Sequence, residues 1–339
     1  MSSDVFRALI TPLQNGDLAL PVEGRILLIN IDPGPPAALF PAERTTCWHW
    51  LKNAADHWAQ SGYAVSAEKP QGVFAAIFLA LPQQRDSALG LMAQAEKLLA
   101  EDGVLVIAAP NDGGGRRLAE DLAPYCPAHH SASKQKCRIV WATRKECAAL
   151  PESWIDRAAL HVHPETGMWT RPGLFSWDRV DAATRLLLPF IPQDQTGAFC
   201  DPGCSNGVIT CAILRGNPKA AEVSAYDVDF RAVEACRRNV AGLGLSTLVA
   251  VHWQDFTVGP AAPDADWVVM NPPFHQGKME TIALGQGFIA RAAARLKRHG
   301  TLLLVANAHL PYEKILQAHF TAIEKCYEGQ GFKIFRASL

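Results

Sequence analysis

A short apolar segment near residue 270 constrains the fold of this 339-residue chain more than any other feature of its sequence. Asp266 is followed by the apolar run Trp-Val-Val-Met, which indicates a buried strand of a parallel sheet. The run ends at Asn271, and the strand must stop there because Pro272 and Pro273 cannot donate to a sheet ladder. Ligands of open α/β sheets bind beyond the carboxyl ends of the strands, so Asn271 is expected at a binding site.

The residues after this strand have the chemistry to hold a flat amino group. The side-chain oxygen of Asn271 and the carbonyl of Pro272, whose direction the next proline fixes, are two neighbouring acceptors. They suit the exocyclic amine of a nucleobase, and Phe274 offers a ring on which the base can stack. When both hydrogens of the amine donate to acceptors, a pyramidal nitrogen is favoured. Such a nitrogen can attack a sulfonium methyl group without a strong base. These residues alone also fit a strand-ending turn with an asparagine cap and a packed phenylalanine.

Length and composition indicate an ordinary globular chain of two domains. Hydrophobic residues make up 49% and charged residues 19% of the sequence, which is ample apolar material for two cores. The formal net charge is −1, so a surface for nucleic acid must be local rather than spread over the chain.

Nine cysteines are scattered along the chain without a Cys-x-x-Cys pair. We expect reduced, mostly buried thiols of a cytosolic protein. We expect no metal site, because Cys200 and Cys204 are poorly spaced for zinc and the pair His161 and His163 lacks further ligands. The N-terminus has no signal-peptide pattern, and no apolar run approaches the ~20 residues of a membrane span. A cytoplasmic protein without membrane contact is therefore expected.

Residues 1–150 alternate strand and helix patterns, which predicts a parallel, doubly wound α/β domain. Buried strands are expected at 25–31, 74–81 and 104–109, and helical spacing occurs over 47–60 and 87–99. The loop after the first strand reads Asp-Pro-Gly-Pro-Pro, and its three prolines remove backbone N–H groups that could hold an anion. The connection to the second half falls near residues 147–156.

Two stretches of the first half carry positive charge. Asn111–Arg117 holds three consecutive glycines before two arginines, a pattern typical of either an anion-binding turn or a flexible surface loop. Lys134, Lys136 and Arg138 alternate along a predicted strand, which is compatible with a patch for phosphates or with a solvated strand face.

A glycine turn between a strand and a helix is predicted over residues 197–210. Gly203 and Gly207 let backbone N–H groups approach a ligand near the N-terminus of the helix. Ser205 and Val208 occupy positions where a dinucleotide fingerprint needs glycine, so the turn suits a ligand with no pyrophosphate beneath it.

Acidic side chains follow the next two strands. Asp227 lies about twenty residues beyond the glycine turn, where an acid can accept both hydroxyls of a ribose. Asp255 is either placed to accept from an adenine amino group or is a solvated loop acid. The glycine turn, the two acids and the Asn-Pro-Pro-Phe segment follow four strands of one sheet, which favours a single binding crevice.

The second half, residues 151–339, resembles class I S-adenosylmethionine-dependent methyltransferases over its whole length. It is similar in particular to the bacterial ribosomal RNA guanine-N2 methyltransferases of the small subunit. The resemblance rests on the Asn-Pro-Pro-Phe-His of 271–275, on Gly173–Ser176, on the helix at Asp181 and on Val305–Tyr312.

This resemblance implies two tandem Rossmann-like domains, each with a parallel sheet, an antiparallel edge and helices on both faces. In that family the first domain has lost its cofactor site, which agrees with the proline-broken loop at 32–36. Residues 1–150 would then be a degenerate domain for RNA binding or structural support, and residues 151–339 the catalytic domain.

The resemblance also implies the roles of individual residues. Asn271 and the Pro272 carbonyl would hold the guanine amine, with Phe274 stacked on the base. Asp227 would bind the ribose of S-adenosylmethionine and Asp255 its adenine. The residues of the glycine turn would hold the rest of the cofactor, with two further residues at the border of the site. The predicted cofactor-binding set is Asp201, Gly203, Ser205, Gly207, Asp227, Asp255, Phe175 and Asp181.

We therefore expect methyl transfer from S-adenosylmethionine to the N2 amine of a guanine, with ribosomal RNA or a ribosomal subunit as the partner. The alternatives are a large-subunit guanine-N2 enzyme, an adenine-N6 or protein glutamine methyltransferase, and a non-catalytic RNA-binding assembly factor. Pro202 and Ser205 stand where the family more often has a small apolar residue and glycine. Ser205 therefore adds a side chain where the backbone should approach the cofactor.

Overall fold

The computed structural model describes residues 2–244, 249–259, 264–273 and 278–339. Unit 1 comprises Met1–Ala159 with Arg171–Gly173, and unit 2 comprises Leu160–Thr170 with Leu174–Leu339. Each unit contains one seven-stranded sheet, and unit 2 also has a small two-stranded sheet.

Unit 1 builds its sheet from short, mostly buried strands. They are β1 (Ile26–Ile29), β2 (Thr45–Trp48), β3 (Ala64–Ser66), β4 (Phe74–Ala80), β5 (Leu99–Pro110), β6 (His130–Lys134) and β7 (Cys137–Thr143). Its α-helices are α1 (Ser2–Leu9), α2 (Thr11–Gln14), α3 (Lys52–Gln60), α4 (Arg85–Leu98), α5 (Arg116–Leu122) and α6 (Glu152–Ala158). Short 3₁₀ turns occupy Pro35–Leu39, Ala42–Arg44 and Arg144–Glu146, and an irregular turn occupies Asn111–Gly115.

Unit 2 begins with a hairpin of β8 (His161–Val162) and β9 (Trp169–Thr170). The strands of its large sheet are β10 (Ala198–Pro202), β11 (Glu222–Asp227), β12 (Val249–Trp253), β13 (Ala265–Met270), β14 (Leu296–Asn307), β15 (Ala322–Gly329) and β16 (Phe332–Ser338). Its α-helices are α7 (Ala182–Leu187), α8 (Val208–Gly216), α9 (Phe230–Ala241), α10 (Lys278–Arg295) and α11 (Glu313–His319), and a 3₁₀ turn covers Leu188–Phe190.

The two large sheets have the same topology. Their strand orders are β3-β2-β1-β4-β5-β7-β6 and β12-β11-β10-β13-β14-β16-β15. In each sheet the first five strands pair in parallel, and β7 or β16 runs antiparallel to both of its neighbours. These orders confirm the predicted pair of doubly wound α/β domains with an antiparallel edge.

The apolar run before Asn271 forms β13 near the middle of the unit 2 sheet, as predicted. Val269 packs in the core on one face of the sheet, whereas Val268 and Met270 pack in the core on the other face. Both faces of β13 are covered by the core, so open space begins only at its carboxyl end. Asn271 is the polar residue that follows the strand at this end. β13 lies beside β10, the point at which the order of the strands in the sheet reverses, and ligands of such sheets bind at that point.

The predicted helix over residues 47–60 is longer than the helix that forms. Cys47 and Trp48 lie in β2, which pairs in parallel with β1, and α3 begins only at Lys52. Trp48 is buried as part of β2 and Trp58 is buried as part of α3. The helical spacing between them therefore does not come from a single helix.

The prediction of reduced thiols is wrong at one pair of cysteines. Cys126 and Cys147 of unit 1 form a disulfide across 21 residues of sequence. The other seven cysteines are free, and all of them except Cys326 are buried. The two bonded residues follow α5 and β7, and only the folded chain brings them together.

A helix that spans a membrane must be both long and apolar. In the part of the chain that the structure describes, no helix combines the necessary length with sufficient apolar character.

Candidate active site

A cavity of about 240 Å³ opens at the carboxyl edge of the unit 2 sheet. Residues at or just after the ends of four neighbouring strands form its wall: Gly203 and Ser205 after β10, Asp227 at the end of β11, Gln254 and Phe256 after β12, and Asn271, Pro272 and Pro273 after β13. Leu174 and Phe175 add to the wall from the segment before α7, and Phe288 adds to it from α10. The four strand ends that the sequence singles out therefore meet around one hollow.

The glycine turn after β10 brings backbone close to this hollow. Gly203 has a φ of +78°, and a Cβ placed there would stand 3.8 Å from Phe288 and 3.9 Å from Pro273, two residues of the cavity wall. Gly207 has a φ of +87°, and a Cβ there would lie only 2.6 Å from the sulfur of Cys236. Glycine at 203 keeps the hollow open, and glycine at 207 lets the turn pack on α9.

Ser205 occupies the turn in the left-handed conformation, with a φ of +48°. Its backbone N–H donates to Asp227 Oδ2 at 2.8 Å, and its hydroxyl donates to the Phe175 carbonyl at 3.2 Å. The side chain that the sequence adds at this position thus ties the turn to the segment that carries Phe175.

Asp201 lies beneath the turn rather than in the wall of the cavity. It is fully buried, and its Oδ2 accepts the Thr210 hydroxyl at 2.5 Å. Its Oδ1 has no hydrogen-bond partner among the described residues. Burial raises the pKa of the Asp201 carboxyl to about 7. The structure therefore gives Asp201 contacts that hold the turn on α8, and no place on the cavity wall.

Asp227 does reach the cavity. Its two carboxylate oxygens accept the backbone N–H groups of Ser205 and Asp229, each at 2.8 Å. Burial raises the pKa of Asp227 to about 6, against the opposing effect of these hydrogen bonds, so the group is mostly ionised at neutral pH. A carboxylate fixed in this way keeps lone pairs for the two hydroxyls of a ribose.

Asp255 is not part of the cavity wall in the described chain. Its Oδ1 accepts the backbone N–H and the hydroxyl of Thr257, at 2.8 and 2.7 Å. Its two neighbours, Gln254 and Phe256, line the cavity instead. Sequence reasoning missed these two residues because it selected the acid after β12 on charge alone.

Asn271 is held so that only its oxygen is available. Its Nδ2 donates to Asp181 Oδ2 at 3.0 Å and to Thr184 Oγ1 at 2.9 Å, which uses both of its N–H groups. The side chain lines the cavity with 9% of its surface exposed, and Oδ1 has no partner within the described ranges. A buried acceptor without a partner is costly, so its presence here indicates that a ligand supplies the donor.

Asp181 has two structural bonds of its own. It caps α7 by accepting the backbone N–H of Thr184 at 2.9 Å, and the same Oδ2 accepts the Asn271 amide. A second, smaller hollow beside the cavity is lined by Asp181, Thr184, Arg179 and Asn206, and it shares Phe175, Gly203, Ser205 and Asn271 with the first. The predicted border residue is thus also the residue that orients the amide of Asn271.

The sequence predicts two phenylalanines at this site, and the structure describes one of them. Phe175 is 39% exposed and lines both hollows. Phe274 lies outside the described residues. The described chain contains no group of three or more His, Cys, Asp or Glu side chains that could hold a metal ion.

The sequence matches a known family model over its second half. The model is the Methyltransferase small domain, and the match covers residues 165–336, which include every residue of the cavity described above.

Curated relatives match nearly the whole chain. The Ribosomal RNA small subunit methyltransferase C of Pseudomonas syringae pv. syringae is 31% identical over 322 residues, covering 93% of this chain and 95% of the relative. The protein of the same name from Acinetobacter baumannii (strain AYE) is 27% identical over 325 residues, with the same coverage.

A solved structure has the same fold over the whole chain. The T. thermophilus 16S rRNA N2 methyltransferase RsmC, solved in complex with AdoMet and guanosine, superposes with a TM-score of 0.77 at 22% identity. The alignment covers 98% of this chain and 91% of that protein.

Proposed function

The chain belongs to the family of the ribosomal RNA small subunit methyltransferases C, and from this membership we propose its reaction. It transfers a methyl group from S-adenosylmethionine to the exocyclic N2 amine of a guanine in small-subunit ribosomal RNA. The reaction takes place in the cavity of unit 2, in the cytoplasm, where ribosomal RNA is made and assembled.

The residues of the cavity fit the cofactor. Asp227 accepts the ribose hydroxyls, and the space that a Cβ at Gly203 would fill is left for the ligand. Gln254 and Phe256, rather than Asp255, line the cavity after β12 and would contact the adenine. Ser205 lines the cavity and bonds to the Phe175 carbonyl, whereas Asp201 and Gly207 support the turn from behind through Thr210 and Cys236. When bound, the cofactor supplies an electrophilic methyl group on a sulfonium ion.

The free oxygen of Asn271 is the observation that carries the proposal. Its amide nitrogen is already bonded to Asp181 and Thr184, so Oδ1 can only accept. A guanine amine has two N–H donors, of which Asn271 takes one and the Pro272 carbonyl takes the other. The two hydrogen bonds pull both amine hydrogens out of the plane of the ring. The nitrogen lone pair is then less delocalised into the ring and can attack the methyl group.

Catalysis in this site comes from positioning. No residue needs to remove a proton before the attack, because the positively charged product amine is acidic and loses its proton to solvent. Effective molarities for well-oriented groups reach about 10⁵ M or more, which is a sufficient source of rate acceleration. Phe175 and, by the resemblance, Phe274 hold the base by stacking, and the base must be unpaired to reach them.

We propose that unit 1 contributes RNA binding to the reaction. Its loop after β1 carries prolines where unit 2 has its glycine turn, so it presents few N–H groups to a cofactor. Naked ribosomal RNA and an assembled subunit are both compatible substrates.

The product identifies the reaction. Ribosomal RNA from a strain lacking the gene is incubated with the purified chain and labelled S-adenosylmethionine, then digested to nucleosides and analysed by mass. We expect N2-methylguanosine from the small-subunit RNA only. N6-methyladenosine, methylated glutamine in a ribosomal protein, or a mark in the large-subunit RNA would each refute the proposal in favour of the corresponding alternative. Absence of both methyl transfer and cofactor binding by calorimetry would favour a non-catalytic assembly factor.

A further inference from the structure

A second cavity lies at the carboxyl edge of the unit 1 sheet. Its volume is about 290 Å³, and its wall comes from the residues after β4 and from the turn and helix after β5. The strands β4 and β5 hold the same places in unit 1 as β13 and β14 hold in unit 2. The cavity therefore occupies the sheet edge that unit 2 uses for its active site.

The wall of this cavity differs in chemistry from the active site. Leu81, Leu89 and Met92 give it an aliphatic floor, and Arg85, Arg116 and Arg117 give it a positive rim. The described wall contains no aromatic side chain on which a base could stack. These groups suit a sugar–phosphate backbone better than a nucleobase.

Most of the positive charge at this edge is not neutralised. Arg85 pairs with Asp121 through two hydrogen bonds of 3.1 and 2.7 Å. Arg116 and Arg117, by contrast, are exposed and form no ion pair within the described ranges. Asp112 of the adjoining turn and Glu120 of α5 are exposed acids close in sequence, and neither forms an ion pair with Arg116 or Arg117 among the described residues.

A neighbouring hairpin extends the positive surface. Asn111, which lines the cavity, donates its backbone N–H to the carbonyl of Lys136 at 2.9 Å. This bond places the tip of the β6–β7 hairpin, with the exposed Lys134 and Lys136, beside the turn. Neither lysine forms an ion pair in the part of the chain that the structure describes. Four unneutralised cations, Arg116, Arg117, Lys134 and Lys136, thus share one edge, here called the basic edge.

We propose that the basic edge binds the phosphate backbone of the substrate RNA. The identity of the RNA rests on the function proposed above, but the binding of phosphates does not. Unit 1 would then carry a phosphate site at the carboxyl edge of its sheet, the edge at which unit 2 has its cofactor residues. The chain as a whole is nearly neutral, with a net charge of −1, so a positive potential for RNA must come from a local cluster of cations such as this one.

The test is the salt dependence of RNA binding by the full chain. Binding of a labelled oligouridylate is measured as a function of salt for the parent, for Arg116→Ala/Arg117→Ala and for Lys134→Ala/Lys136→Ala. Each lost phosphate contact lowers the slope of log affinity against log salt by about 0.7 for single strands, so each double variant should lose about one to one and a half. Arg116→Lys/Arg117→Lys keeps two point charges and should keep most of the slope.

Lys69→Glu is the matched control. Lys69 is an exposed lysine between β3 and β4 with no ion pair among the described residues, and this change removes as much net charge as either double variant. The control should leave the slope unchanged. If the control lowers the slope as much as the double variants, or if the double variants leave it unchanged, the basic edge does not bind phosphates. A lysine double variant that behaves like the alanine variant would also refute the proposal.

A second measurement separates this proposal from the function proposed for unit 2. The double variants should raise KM for ribosomal RNA several-fold while the affinity for S-adenosylmethionine, measured by calorimetry, stays that of the parent. The oligouridylate slope is independent of methyl transfer, so it still decides the role of the basic edge if the chain methylates another substrate. A reduced cofactor affinity in the double variants would indicate a general structural effect and would refute a local phosphate site.

Discussion

At the scale of single residues, the site depends on which atoms of Asn271 are already bonded. The amide nitrogen is held by Asp181 and Thr184, and the oxygen is left without a partner in the described chain. An asparagine free to rotate would present its nitrogen as often as its oxygen, and a donor would repel the hydrogens of an amine. Asp181 is therefore a positioning residue for the reaction, although it sits ninety residues earlier in the sequence.

Asp181→Ala should lower kcat by roughly ten- to a hundredfold, because a misdirected amide loses the near-attack geometry. The same change removes the cap of α7, which costs about 1 kcal/mol of stability. Asp181→Ser keeps a capping oxygen but is too short to hold Asn271, so it should lower kcat while retaining the melting temperature. Steady-state kinetics and thermal melting separate the two effects. Parent-like kcat in the serine variant would contradict the positioning role.

Asp227 makes cofactor binding depend on pH. Burial raises its pKa to about 6, so the carboxylate that accepts the ribose hydroxyls becomes protonated as the pH falls through that value. A protonated acid has lost acceptor capacity, and we expect the affinity for S-adenosylmethionine to fall up to tenfold per pH unit below about 6. Above pH 7 the affinity should be constant.

Calorimetric titrations between pH 5 and 8 measure this dependence. Asp227→Asn has no charge to titrate, so it should bind more weakly at pH 7 and show little change between pH 5 and 8. An affinity of the parent chain that stays constant down to pH 5 would show that the ionised form of Asp227 is not needed.

At the scale of elements, the turn between β10 and α8 is the most constrained segment of the site. Gly207 combines a left-handed φ with close packing on Cys236 of α9, whereas Gly244 has a similar φ of +69° and no described atom within 4 Å of an added Cβ. The two glycines therefore separate the cost of the backbone conformation from the cost of overlap.

Gly207→Ala should destabilise the chain by about 2–4 kcal/mol, since the added methyl group suffers both the φ strain and the overlap with Cys236. Gly244→Ala has only the φ strain and should cost about 1 kcal/mol. Melting temperatures of the two variants give the comparison. Equal losses would mean that the turn relaxes away from α9 without cost.

The strand ends show how far this site could be predicted from sequence. Asn271 and Asp227 are predictable from local signals: each stands at the end of an apolar run, Asn271 before two prolines and Asp227 about twenty residues beyond the glycine turn. Asp255 follows a strand in the same way, but a shift of one residue reverses which side chain faces the hollow, and Gln254 and Phe256 face it instead. The contact of Asp181 with Asn271 and the bond between Cys126 and Cys147 join distant parts of the chain, which periodicity and spacing do not report.

At the scale of the whole molecule, one topology occurs twice with different chemistry at its carboxyl edge. Unit 2 has glycines after its first sheet strand and an asparagine after its fourth. Unit 1 has Pro33, Pro35 and Pro36 after its first strand, and the 3₁₀ turn Pro35–Leu39 places the Pro36 side chain in the interior. A repeated fold therefore does not imply a repeated site.

The stoichiometry of cofactor binding tests this difference between the units. One S-adenosylmethionine should bind per chain, and Gly203→Val, which places a branched side chain in the hollow of unit 2, should weaken binding strongly. Calorimetry gives both numbers in one series. Two equivalents per chain, or one equivalent bound with parent affinity in the valine variant, would place a cofactor site outside the cavity of unit 2.

The most direct test of the mechanism is single-turnover methyl transfer by Asn271→Ala, with the exposed Asn53→Ala in α3 as the matched control. With saturating cofactor and ribosomal RNA, the rate of N2-methylguanosine formation should fall roughly a hundredfold in Asn271→Ala and stay at the parent value in the control. The affinity of both variants for S-adenosylmethionine should remain that of the parent. A parent-like rate in Asn271→Ala would show that the free amide oxygen does not hold the target amine.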